Sequence, residues 1–106
     1  MFRLKPFVVP FISTLLLLTL HAHADDAVAG KAKAVTCEAC HGAAGISNND
    51  QWPNLAGQKK GYLVAQLNAF RAGKRIDQMM QPMTKALTDK EIDDLATYYS
   101  GLTTAK

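Results

Sequence analysis

Cys37-Glu38-Ala39-Cys40-His41 brings two thiols and an imidazole together within five consecutive residues. On a helix, positions i, i+3 and i+4 share one face, so Cys37, Cys40 and His41 would point the same way. Thiols at this spacing can add to the two vinyl groups of a haem as thioethers. The imidazole can then bind the iron through one ring nitrogen, and the C-x-x-C-H pattern reads as a covalent haem attachment site. Gly42 follows, at a place where a side chain could obstruct the ring. Two other uses of the cysteines fit less well. Structural zinc asks for four ligands, whereas no other cysteine or histidine follows residue 24 (His21 and His23 precede it). A thioredoxin-like redox pair is expected in a βαβ setting, and no stretch alternates apolar and polar residues as a strand would.

A haem iron held by His41 has a second axial position. Without another histidine, methionine is the common partner in small proteins of this kind, with lysine or an open position as alternatives. The candidates are Met79, Met80 and Met83. Methionine also fills core gaps, and at least one of the three is expected to do that. A soft thioether favours ferrous iron, so His/Met ligation raises the reduction potential. With both axial positions filled, the chemistry is outer-sphere transfer of single electrons and not catalysis on the metal.

The elements that position these residues begin after residue 24. Arg3 and Lys5 precede a stretch from Phe7 to Leu20 that is apolar apart from Ser13, Thr14 and Thr19. Ala22-His23-Ala24 then places small residues at −3 and −1 of a cleavage site, the layout of a secretory signal peptide too short to span a membrane comfortably. Residues 1–24 are therefore expected to be a cleaved signal peptide, leaving 25–106 as a domain of 82 residues. Domains of that size often need a staple such as a metal or a cofactor. Taking Arg3 and Lys5 from the 12 basic residues leaves 10 against 9 acidic ones, a net of +1. No basic stripe with interleaved aromatics points to nucleic acid.

Three helices are predicted in 25–106. The first runs from about Asp26 to Cys40, capped by Asp25 or Asp26, with Gly30 inside it. That glycine costs about 1 kcal/mol relative to alanine and implies close packing. The second runs from about Lys60 to Ala72 with Leu63, Leu67 and Phe70 on one face and Gly73 as its stop. The third starts at Thr88, where Thr88-Asp89-Lys90-Glu91 is a capping box and Leu87 and Ile92 are placed as a hydrophobic staple. Ile92, Leu95, Ala96, Tyr99 and Leu102 make its apolar face, and Gly101 lies near its end, where a left-handed residue is tolerated. The stretches Gly42–Gly57 and Gly73–Ala86 read as irregular, and each could wrap one side of a flat cofactor. Trp52 is placed either against that cofactor or as core filling. Arg75 is a partner for a propionate or a solvated charge. Lys59, Lys60, Lys74, Arg75 and Lys85 either ring an exposed cofactor edge or form a solvated face.

Read together, these residues resemble the soluble bacterial class I cytochromes c, especially the short type whose domains also occur in tandem in diheme cytochromes. The resemblance covers essentially all of 25–106. It rests on Cys37-x-x-Cys40-His41-Gly42, Pro53-x-Leu55-x-Gly57-Gln58, Tyr62-Leu63-x-x-Gln66-Leu67 and Met79-Met80-x-x-Met83. It extends through Leu87-Thr88-Asp89-x-Glu91-Ile92-x-x-Leu95-Ala96-x-Tyr98-Tyr99.

The resemblance implies an all-α cytochrome c fold, in which N- and C-terminal helices cross and a middle helix covers one side of a single covalent haem c. It implies Met80 as the axial methionine, with Met83 packed nearby, and the Pro53 carbonyl as acceptor for the second ring nitrogen of His41. It implies that Gly30 meets Tyr98 where the terminal helices cross. The function it implies is electron transfer in the periplasm, without enzymatic activity of its own. Donors and acceptors would be redox proteins such as a dehydrogenase, an oxidase or a reductase; no nucleic acid and no membrane embedding are expected. Two other readings stand beside it: the haem-bearing subunit of a periplasmic dehydrogenase, and a sensor in which a small gas displaces the methionine.

Overall fold

The structure is a computed structural model that describes residues 2–8 and 24–104. The stretch 9–23, which holds most of the expected signal peptide, lies outside the described residues. Residues 24–33 form α1, followed by α2 (Val35–His41), α3 (Lys60–Arg71), α4 (Met80–Thr84) and α5 (Asp89–Gly101). There is no strand among the described residues.

The first predicted helix is divided. Ala34 interrupts it, because its carbonyl accepts from both the Cys37 and the Glu38 N–H groups, at 2.8 and 3.1 Å. A shared acceptor of this kind tightens one turn toward 3₁₀ geometry. The side chain of Ala34 is fully buried at this joint, and α2 then carries the C-x-x-C-H residues to its last position. α3 and α5 begin where predicted. α3 ends one residue early at Arg71, with Gly73 beyond it at φ +72°. The capping box at Thr88 is complete: Thr88 Oγ1 accepts from Glu91 N at 3.1 Å and Glu91 Oε2 from Thr88 N at 2.9 Å. Gly101, by contrast, is the last residue of α5 and is not left-handed; Leu102 leaves the helix in an extended conformation.

α1 crosses α5 at Gly30. A Cβ there would lie 2.0 Å from the Asp94 carbonyl oxygen and 2.7 Å from Tyr98 Cβ, so only glycine allows this approach. The small–aromatic contact implied by the resemblance is present, and Tyr98 rather than Tyr99 makes it. α3 packs on both α5 and α4.

The core is thin for the 80 described residues of the domain. Its central cluster is Ala34, Leu63, Leu95, Ala96 and Tyr99. Two of those five are alanines, and among the described residues the largest fully buried side chains are only Ile92, Leu95 and Thr84. Aliphatic bulk of this size does not fill the space between α2, α3 and the methionine segment.

Candidate functional site

That space is a cavity of about 620 Å³, reached by side chains from α2, α3, α4, α5 and both connecting segments. Cofactor sites commonly have volumes in this range and a mainly apolar lining. Cys37, Cys40 and His41 line one side, and Met79, Met80 and Met83 line it from the segment around α4.

His41 is held firmly. It is 7% exposed and its Nδ1 lies 2.8 Å from the Pro53 carbonyl oxygen. A carbonyl only accepts, so Nδ1 carries the proton and donates, leaving the Nε2 lone pair for a metal. The loop that brings Pro53 there is folded on Gly45, whose carbonyl accepts from Leu55 N at 2.8 Å and Ala56 N at 3.0 Å. Asn54 Oδ1 adds a bond from Ser47 N at 2.7 Å. Gly42 is required by the backbone as well. At φ +86°, a Cβ would sit 1.9 Å from the Ile46 carbonyl oxygen, so the glycine lets this loop turn away from α2.

Cys37 and Cys40 are both half-buried and do not form a disulfide. Burial pushes the Cys37 thiol above its ordinary pKa, with the nearby Thr36 and Tyr99 side chains opposing.

The methionine segment is not wholly irregular: α4 was missed in the sequence. Asp77 starts it. Its Oδ1 accepts from the N–H groups of Met79 and Met80 at 2.9 and 2.8 Å, and Gln81 Oε1 accepts from Asp77 N at 3.2 Å. The bonds from the Met80 and Met79 N–H groups, that from Met80 first, hold the Asp77 carboxyl below the usual carboxylate range. Pro82 sits within the first turn, where its missing N–H is not needed. Thr84, fully buried, closes the turn by donating to the Met80 carbonyl at 2.9 Å. The signal was an aspartate followed four residues later by a glutamine, with proline directly after it, which a capping argument reads once the helix is only five residues long.

Of the three methionines, Met79 and Met83 are 52% and 48% exposed, whereas Met80 is half-buried. Trp52 lines the cavity and stands outside the core cluster. Arg75 also lines it; its guanidinium lies 4.5 Å over the Phe70 ring and donates to Gln66 Oε1 at 2.8 Å. Of the two readings of the flanking cations, the solvated face describes the lysines better. Lys60 pairs with Asp93 at 3.2 Å, and of the five cations only Arg75 lines the cavity. Lys33, not anticipated, lines it too and pairs with Glu91 at 3.0 Å.

An all-helical fold that brings two cysteines, a carbonyl-tethered imidazole and a methionine segment to one apolar cavity defines a protein of the covalent haem class. The chain belongs to the cytochrome c family, whose family model matches residues 27–103 and whose members carry covalent haem c. It is similar to cytochrome c4 of Pseudomonas aeruginosa, 39% identical over 97 residues, which are 92% of this chain and 48% of that protein. It is also similar to cytochrome c-554(548) of Halomonas halodenitrificans, 44% identical over 80 residues, covering 73% of this chain and 96% of that one. Among solved structures, reduced recombinant cytochrome c4 from Pseudomonas stutzeri superposes with a TM-score of 0.68 at 31% identity, over 76% of this chain and 50% of that chain. The chain thus spans about half the length of the cytochrome c4 proteins it matches.

Proposed function

We propose that this chain is an exported carrier of single electrons that holds one haem c through Cys37 and Cys40, with His41 and Met80 as axial ligands. The carrying observation is the pairing of two preset donors on one cavity. His41 offers Nε2 because Pro53 holds Nδ1, and Met80 is the more buried methionine, fixed at its N–H by Asp77 and at its carbonyl by Thr84. Bound there, the haem supplies a one-electron Fe(III)/Fe(II) couple.

The chain's own residues do the rest. The Pro53 carbonyl orients the imidazole and raises its basicity. The thioether of Met80 favours the reduced state. The apolar lining lowers the local dielectric, which disfavours added charge on oxidation. With an iron held by both His41 and Met80, the partners would be redox proteins such as a dehydrogenase, an oxidase or a reductase.

Export rests on the signal-peptide layout of residues 1–24, with cleavage after Ala24 into the periplasm. The described part of that segment contributes nothing to the core: Phe2, Leu4 and Phe7 are fully exposed. Among the described residues no helix is long and apolar enough to cross a membrane.

The test is to purify the mature protein and combine a pyridine-haemochrome spectrum with a redox titration. One covalent haem, a reversible one-electron couple and a weak sulfur-to-iron band in the ferric state are expected. A five-coordinate iron that binds small gases without a competing ligand would replace this reading with the sensor. Copurification at a fixed ratio with a larger protein would replace it with the dehydrogenase subunit.

A further inference from the structure

Tyr99 is 4% exposed and lies at the centre of the core cluster. Its ring packs, yet its hydroxyl is buried without a hydrogen-bond partner, the one such side-chain atom among the described residues. A buried hydroxyl left unpaired is costly, and phenylalanine would fill the same space without that cost. The hydroxyl therefore points to an acceptor that completes the site.

Tyr99 and Cys37 both line the cavity, and Cys37 packs against the cluster that contains Tyr99. The two groups are within electrostatic reach. Burial raises the Tyr99 pKa first and the Cys37 charge raises it next. A free thiol turns about its own bonds, whereas a sulfur tethered at both ends has a fixed direction for its lone pairs. Sulfur is a weak acceptor, so a preset donor beside it matters most when that direction is fixed.

Resting on the reading that Cys37 is thioether-linked, we propose that the Tyr99 O–H donates a hydrogen bond to the Cys37 sulfur in the haem-loaded protein. Tyr99 is then a positioning residue for that linkage. The bond draws electron density from the sulfur and so favours the reduced state, in the way that hydrogen bonds to the ligands of a redox centre raise its potential.

The experiment compares the loaded wild type with Tyr99→Phe, using Tyr98→Phe as control. In the reduced wild type, proton NMR should show a slowly exchanging hydroxyl proton with cross-peaks to the Cys37 thioether protons. Tyr99→Phe should abolish it, lower the reduction potential and lower the melting temperature. The haemochrome and the sulfur-to-iron band should stay intact, and Tyr98→Phe should leave the potential unchanged. An unchanged potential with a raised melting temperature in Tyr99→Phe is the result for a hydroxyl that never finds a partner, and it overturns the proposal. Cross-peaks from that proton to another group overturn it equally. Wild type without covalent haem would instead remove the reading on which the proposal rests, and the two failures are told apart by the haemochrome alone.

Discussion

The Asp77 carboxylate accepts the Met80 N–H at 2.8 Å, which ties the start of a five-residue helix to the side chain that has to reach the cavity. Asp77 is fully exposed, so it acts through this geometry and not through burial. Its removal should loosen Met80 without touching the cysteines. Asp77→Ala is expected to make displacement of the methionine by imidazole easier by a factor of several, in line with the loss of a helix cap. Asp77→Asn should largely restore it. An imidazole titration followed at the sulfur-to-iron band checks both.

The three methionines can be separated by potential. Met80→Ala should lower the reduction potential by roughly 100 mV or more and open the iron to exogenous ligands. Met83→Ala, at a half-exposed position, should change it little. Redox titration of both variants decides, and the opposite pattern would transfer the axial role to Met83.

Gly30 and Gly61 make a matched pair for stability. A Cβ at Gly30 meets backbone on α5 at 2.0 Å, whereas one at Gly61 meets nothing within 4 Å. Gly30→Ala has to separate two helices and should cost about 3 kcal/mol, the upper range for overpacking. Gly61→Ala should add about 0.5–1 kcal/mol through helix propensity and the unfolded chain. Urea unfolding of the loaded protein measures each.

Acid should act through the capping box. The Thr88 N–H first, then Lys33, hold the Glu91 carboxyl below its ordinary value. A depressed folded-state pKa gives stability that is present above the unfolded value near 4.5 and is lost as pH falls through the folded one. Glu91→Gln keeps an acceptor for Thr88 N but removes the charge. It should flatten the fall in melting temperature below about pH 4.5, while changing the neutral value only slightly, as expected of an exposed pair.

The sequence made the strongly patterned parts legible. The C-x-x-C-H spacing located the thiols and the imidazole, the capping box set the start of α5, and Gly30, costly within a helix, pointed to the close crossing that the structure shows. Proline was the harder case. A carbonyl has no side-chain signature, so the Pro53 acceptor came only through resemblance. α4 was hidden because five residues show no periodicity and its start depends on one aspartate. The break at Ala34 was equally silent, since it follows from one carbonyl being shared by two N–H groups. Gly42 carried a further requirement that the sequence did not show, its close approach to the Ile46 backbone. Tyr99 read as an apolar-face residue, and only its burial revealed an unpaired hydroxyl.

Intact mass of the exported protein, with a thiol count under denaturing conditions, addresses the attachment itself. A mass raised by one haem over the sequence from Asp25 onward, with neither Cys37 nor Cys40 reacting with a thiol reagent, is the expected result. Colourless mature protein at the bare polypeptide mass, with both thiols reactive, would contradict the account.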